Sequence, residues 1–188
     1  MKTAFRNTMA GAALTAGLIG IGLVSLSSNA ESKPATDGKL NDPTIVAIFD
    51  AANTWDIETG KLAIDRGQSK DVREFGEMLA RDHKIVRQQG RDLAARLGVT
   101  PTPPADFAMA KDHAEAIKKL SGLRGAAFDR AFLAHEAAFH KAVLDALTTT
   151  LLPALQNAEV KELVNKVAPA FTAHMLKAQS LLDAYPKG

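Results

Sequence analysis

The chain has 188 residues, of which 46% are hydrophobic and 23% charged, a composition typical of folded proteins and not of disordered ones. Lys2 and Arg6 account for its net charge of +2, because the other 21 of its 23 basic residues are balanced by 21 acidic ones. This balance argues against a broad nucleic-acid-binding surface, and the absence of cysteine excludes disulfides.

The N-terminus predicts an export signal. Two positive residues precede an apolar run from about Met9 to Leu26, and the small residues Ser28 and Ala30 suit cleavage after Ala30. We therefore predict a signal peptide over residues 1–30 and a periplasmic or secreted mature protein. The alternative is an uncleaved inner-membrane anchor, because the apolar run is rather long. No later segment is apolar enough for a membrane span, so we predict none in the mature chain.

Capping and breaking residues divide the rest of the chain. Residues 31–41 are polar, include proline and glycine, and predict a flexible leader. Asp42 before Pro43, Ser69, and the glycines at 67 and 98 mark helix starts and stops, while Pro153 and Pro169 predict a break and a kink. The predicted helices are Pro43–Arg66, Lys70–Leu97, a short one over Ala105–Leu120, then Ala126–Leu151 and Glu159–Ala184.

This order of elements predicts the fold. No segment of useful length has the alternating pattern of a strand. Four long helices favour an all-α, four-helix bundle over residues 42–188, with a short extra helix in the long connection between the second and third main helices.

Each main helix carries polar residues on or beside its apolar face. Glu136 lies near the centre of the third main helix's face, and His140 lies beside it, one turn further on. At 1.5 Å per residue, these and their counterparts on the other helices lie near mid-height of the bundle, where they can converge. Those counterparts are Asp56 on the first helix, Asp82 and His83 on either side of the second helix's stripe, and His174 on the last.

Such residues are costly in a core unless they pair with each other or bind a metal. Carboxylates and imidazoles together suit Zn, Fe, Mn or Cu, and two ligands four residues apart can reach one ion. We predict one divalent transition-metal ion bound by Asp56, Asp82, His83, Glu136, His140 and His174. The alternative is a hydrogen-bonded network without metal, for instance Asp56 with His174 and Glu136 with His83, that fixes the register of the helices.

Three other residues receive a weaker prediction. His113 lies on the short helix and is expected to be solvated, with little role as a ligand. Trp55 and Tyr185 are isolated aromatics on helices and are expected at the edge of the core.

Three segments carry a resemblance that covers roughly Asp42 to Ala184. They are DIETGKLAIDRGQSKDVREFGEMLARDHKIV, LSGLRGAAFDRAFLAHEAAFHKAVLDAL and LPALQNAEVKELVNKVAPAFTAHMLKA. The chain resembles a bacterial family of exported ferritin-like domains that has no assigned function and is often labelled a predicted outer-membrane protein. The resemblance implies a ferritin-like four-helix bundle. The family's polar positions map onto Asp56, Asp82, His83, His140 and His174, whereas Glu136 rests on the helical-wheel argument.

The sequence also departs from di-iron ferritins, which carry Glu-x-x-His motifs on two helices. The residues three positions before His83 and His174 are Ala80 and Phe171, so a bridged di-iron site and ferroxidase activity are not expected. The predicted role is metal handling or envelope stress protection without an assigned enzymatic activity. A non-enzymatic envelope scaffold or interaction module is the second hypothesis, and a redox enzyme the third.

Overall fold

A computed structural model describes residues 40–186 of the chain. The predicted signal peptide and residues 31–39 of the predicted leader lie outside the described residues. The elements are α1 Asp42–Arg66, α2 Lys70–Leu97, α3 Ala108–Ser121, α4 Gly125–Ala146, a π-helical turn Leu147–Leu151, α5 Leu152–Ala154 and α6 Ala158–Ala184.

All regular secondary structure between residues 40 and 186 is helical, which confirms the predicted all-α class. The long helices α1, α2, α4 and α6 form the predicted bundle, in which α1 packs mainly on α2 and α4 mainly on α6. Helix α3 is the predicted extra helix in the connection between α2 and α4. None of these helices is both long and apolar enough to cross a bilayer.

Most helix ends follow the predicted capping chemistry. The Ser69 side chain accepts a hydrogen bond from the Val72 backbone N–H at 3.1 Å, and Gly98 ends α2 in the left-handed conformation with φ 65°. Helix α1 ends at Arg66, one residue before Gly67, as expected.

The predicted N-cap of α1 is wrong by one residue. The side chain of Asn41 accepts the capping hydrogen bond, from the Thr44 N–H at 3.0 Å. Asp42 is already helical, and its carboxylate accepts hydrogen bonds at 2.8 Å from the backbone N–H groups of Gln156 and Asn157. Two adjacent side chains therefore have different roles: Asn41 caps α1, and Asp42 connects α1 to the start of α6.

Helix α4 ends earlier than the predicted Leu151. Its α-helical hydrogen bonding stops at Ala146, and the next turn is π-helical, with the Leu152 N–H donating to the Leu147 carbonyl oxygen five residues back. Pro153 lies within α5, and the helical run ends only at Leu155, whose backbone is extended, so the predicted break at Pro153 lies two residues further along the chain. By contrast, α6 continues through Pro169.

The core consists of two apolar clusters with a polar layer between them. In α1, Ile45 belongs to the first cluster and Ala63 to the second, while in α4 the order is reversed, with Val143 in the first and Phe132 in the second. The polar residues of both helices lie between these positions. The predicted convergence at mid-height of the bundle is therefore present.

Two glycines let α1 and α2 approach closely beside this layer. A Cβ atom on Gly60 would lie 2.7 Å from the Gly76 carbonyl oxygen, and one on Gly76 would lie 2.6 Å from the Gly60 carbonyl oxygen. Any larger residue at either position would separate the helices.

Candidate metal centre

Four helices contribute to a layer of buried polar side chains between the two apolar clusters. The members are Asn53, Asp56 and Thr59 from α1, His83 from α2, Glu136 and His140 from α4, and His174 from α6.

Three imidazole rings meet at the centre of the layer. His83 Nε2 lies 3.1 Å from His174 Nδ1 and 3.4 Å from His140 Nε2. Ligand atoms held 2.0–2.1 Å from a zinc ion at tetrahedral angles lie about 3.3–3.4 Å apart. The inner nitrogens therefore already have a spacing that suits coordination of one ion.

The outer nitrogens of two of these rings face groups that only accept hydrogen bonds. His83 Nδ1 lies 3.0 Å from Asn53 Oδ1, and the Asn53 Nδ2 donates to the Phe49 carbonyl oxygen, which fixes the orientation of the amide. His140 Nδ1 lies 2.9 Å from the backbone carbonyl oxygen of Glu136. Both outer nitrogens must therefore carry the ring proton.

The third ring follows the same rule. His174 Nε2 lies 3.2 Å from the Asp82 carboxylate, so the proton of a neutral ring belongs on Nε2 and Nδ1 is left bare. Metal-binding histidines usually donate their second N–H to a carboxylate or carbonyl in this way.

Burial keeps the three rings neutral. It is the main cause that lowers the pKa of His83 to about 2 and the pKa of His140 to about 3, with neighbouring imidazoles adding to the effect. Burial also lowers the pKa of His174, although its contact with Asp82 acts in the opposite direction. With their protons on the outer nitrogens, the neutral rings turn three lone pairs toward one another.

Two carboxyl groups adjoin the imidazoles. Asp56 Oδ2 lies 3.3 Å from His83 Nδ1, Asp56 Oδ1 lies 3.7 Å from His140 Nε2, and Glu136 Oε2 lies 3.5 Å from His140 Nδ1. All four carboxyl oxygens are buried, and none has a hydrogen-bond partner among residues 40–186. Oxygens without partners are rare in protein interiors and need an explanation.

Burial dominates the electrostatics of the two carboxyl groups. Burial raises the pKa of Asp56 well above its usual range, and the nearby Glu136 carboxylate raises it further. Burial also raises the pKa of Glu136 to about 7. Without a cation, the layer is an environment in which a second negative charge is unfavourable.

The donor set fits a transition metal. Two groups of three residues share His140, and within each group the potential ligand atoms all lie within 4.8 Å of one another. The first group is His83, His140 and His174, and the second is Asp56, Glu136 and His140. Imidazole nitrogens with carboxylate oxygens suit Zn, Cu, Fe or Mn. Such an ion would provide a partner for the unpaired carboxyl oxygens of Asp56 and Glu136 and for the lone pairs of the three imidazole rings.

The structure thus brings five of the six predicted ligands into one layer. Asp82 is the exception: it lies at the edge, with its side chain 32% exposed, and contacts His174 Nε2 and Arg81. The pairs suggested for a metal-free network also differ from those observed, since Asp56 contacts His83 and His140, and Glu136 contacts His140.

The predicted solvation of His113 is wrong. Its ring is buried and stacks on Trp55 with centroids 5.2 Å apart, and its Nε2 lies 2.8 Å from the Glu58 carboxylate. Helix α3 docks against α1 through this contact. Asn53, which orients His83, was not predicted; its place one helical turn before Asp56 was the only indication.

Comparison with known proteins shows the family. Residues 26–181 match the family described as "Domain of unknown function (DUF4142)", so the chain belongs to it. Among solved structures, it is similar to the "Crystal structure of DUF305 fragment from Deinococcus radiodurans", with a TM-score of 0.66 and 17% identity over 76% of this chain and 95% of that one. At this identity the likeness shows the fold alone. No curated protein matches the chain.

Proposed function

We propose that this member of the DUF4142 family binds one divalent transition-metal ion at the centre of its bundle. The inner nitrogens of His83, His140 and His174 are the first three ligands, and the Asp56 carboxylate, whose Oδ1 lies 3.7 Å from His140 Nε2, is the fourth. Glu136 lies beside the His140 ring and contributes a second negative charge. Zn, Cu, Fe and Mn are the candidate ions.

One observation carries the proposal. The outer nitrogen of each histidine faces a hydrogen-bond acceptor, so three neutral rings turn bare nitrogens toward one another at 3.1–3.4 Å. Without an ion these lone pairs repel, because no ring has a proton left to share. A cation converts the same geometry into three attractive contacts.

Charge balance supports the same proposal. When ionised, the carboxylates of Asp56 and Glu136 place two negative charges in a layer that excludes water, and the three neutral imidazoles compensate neither. A divalent ion would neutralise both and supply partners for orphan oxygens.

The physiological role that follows is metal handling or protection of the cell envelope against stress, in a periplasmic or secreted protein. Ferritin-like ancestry is part of this proposal, on the strength of the bundle and the segments quoted above. We assign no catalytic step to the site, because the Glu-x-x-His motifs of di-iron enzymes are missing at Ala80 and Phe171.

The second candidate function is an envelope scaffold in which the polar layer only fixes helix register. It is favoured by the hydrogen bonds that the outer nitrogens make within the protein, which would orient the rings without an ion.

Elemental analysis of protein purified from the periplasm without metal-affinity chromatography separates the two. The metal proposal predicts one ion per chain in the wild type and less than a tenth of that in His140→Ala. The matched control is His113→Ala, which also removes a buried histidine but lies outside the layer and should keep its ion.

A thermal titration provides the second readout. After chelation, saturating zinc should raise the melting temperature of the wild type and of His113→Ala by several degrees, and leave His140→Ala unchanged. Wild-type protein that carries no stoichiometric metal, and that melts at the same temperature with every one of the four ions, would favour the scaffold.

A further inference from the structure

An apolar pocket of about 210 Å³ lies next to the polar layer, in the half of the bundle that contains the first apolar cluster, that of Ile45 and Val143. Phe171 separates the two: its ring lines the pocket and lies 4.9 Å from the His83 ring and 5.7 Å from the His140 ring, centroid to centroid. The metal proposal does not use this space.

The lining makes the pocket suitable for an apolar occupant. Ile45, Ile48 and Phe49 of α1, with Val143 of α4, contribute hydrocarbon surface, and Thr150 is the only lining residue with a polar side chain. Well-packed interiors hold few voids larger than a water molecule. A dry apolar cavity of about 150 Å³ is large enough for benzene, so this pocket admits a somewhat larger molecule.

The wall of the pocket is also irregular at one place. Leu147, Thr150 and Leu151 line it, and all three belong to the π-helical turn that ends α4. Such turns widen a helix locally and occur frequently at functional sites. Met109 of α3 also lines the pocket and supplies a flexible side chain that can adapt to an occupant.

We propose that this pocket binds a small apolar molecule, of the size of a substituted benzene or a short alkyl chain. The leader is a poor occupant, because residues 31–39 are ESKPATDGK, with four charged side chains and a proline. The first described residue after them, Leu40, lines the pocket itself. The binding does not depend on a metal ion.

The test uses toluene as the probe and the mature chain freed of metal by chelation, so that its outcome is independent of the metal proposal. Saturation-transfer NMR should show saturable toluene binding, and toluene should raise the melting temperature. Benzoate, which is similar in size but charged, should bind at least tenfold more weakly, because the lining offers it no cationic partner.

Two variants place the binding in this pocket. Ala146→Leu extends a side chain into the space and should weaken toluene binding at least tenfold, whereas Ala142→Leu, on the exposed side of the same helix, should leave it unchanged. If Ala146→Leu does not fold, Thr150→Phe at the exposed rim takes its place.

The proposal is overturned if the wild type shows no saturable toluene binding, or if the filled variants bind as well as wild type. Binding that appears only after residues 31–39 are deleted would assign the pocket to the leader instead.

Discussion

The carboxyl group of Glu136 should make the metal-free protein less stable as the pH rises. Burial raises its pKa from 4.5 to about 7, so between these values the folded protein keeps a proton that the unfolded chain has lost. The unfolding free energy therefore falls across this range and levels off above it. At about 1.4 kcal/mol per pH unit, the loss amounts to roughly 3 kcal/mol.

A difference measurement removes the contribution of the histidines and leaves that of Glu136 together with its influence on Asp56. The buried histidines act in the opposite direction, because their lowered pKa values stabilise the fold as the pH rises toward 6.5, but they do so equally in the wild type and in Glu136→Gln. Urea unfolding in the presence of a chelator, followed by circular dichroism and by the fluorescence of the single tryptophan, Trp55, gives both profiles.

From pH 4.5 to pH 8, the stability of Glu136→Gln relative to wild type should increase by roughly 3 kcal/mol. The control is Glu77→Gln, which changes an exposed glutamate of α2 and should show no such trend. A difference between Glu136→Gln and wild type that stays constant over this range would refute the reasoning, because it would mean that the Glu136 carboxylate is as well accommodated in the fold as in water.

Three further substitutions test the surroundings of the layer. Asp82→Asn should lower the affinity for zinc about 10–100-fold with unchanged stoichiometry, because Asp82 orients the His174 ring without binding the ion itself. Competition with a chelating dye measures this affinity, and a complete loss of zinc binding would indicate that Asp82 is a ligand. Asp129→Ala should lower the unfolding free energy, measured by urea denaturation, by about 3 kcal/mol. The buried Asp129 carboxylate accepts three hydrogen bonds at 2.8 Å, one of them from Tyr185, and a loss below about 1 kcal/mol would contradict their contribution. Gly76→Ala should cost about 1–3 kcal/mol because its Cβ would lie 2.6 Å from the Gly60 carbonyl oxygen, and an unchanged melting temperature would count against that close approach.

The fold was predictable because helix ends are local. Ser69 begins α2 and Gly98 ends it through contacts with the nearest helical turn alone, so the residue types at these positions suffice to predict both ends. The end of α4 was less predictable. The π-helical turn at Leu147–Leu151 precedes α5 and the connection to α6, and the residue types in the turn alone do not indicate it. The start of α1 shows a related limit: Asn41 and Asp42 are both suitable caps, and a contact with distant Asn157 decides between them.

The candidate site was predictable as far as periodicity and depth allow. Glu136 and His140 interrupt an apolar face, and the helical rise places their counterparts at the same height. Periodicity does not reveal which nitrogen of a ring faces inward, because that depends on acceptors such as Asn53. Nor does it predict the burial of His113, which follows from the docking of α3 against Trp55.

X-ray absorption spectroscopy of the metal-loaded protein tests the central claim most directly. For zinc or copper, we expect a first shell of nitrogen and oxygen atoms near 2.0–2.1 Å, with the outer scattering of three imidazole rings. His83→Ala, like His140→Ala, should no longer hold the ion and should give no imidazole scattering, whereas His113→Ala should leave the spectrum unchanged. A spectrum that shows a hydrated ion with no imidazole scattering would contradict the claim that His83, His140 and His174 hold the metal.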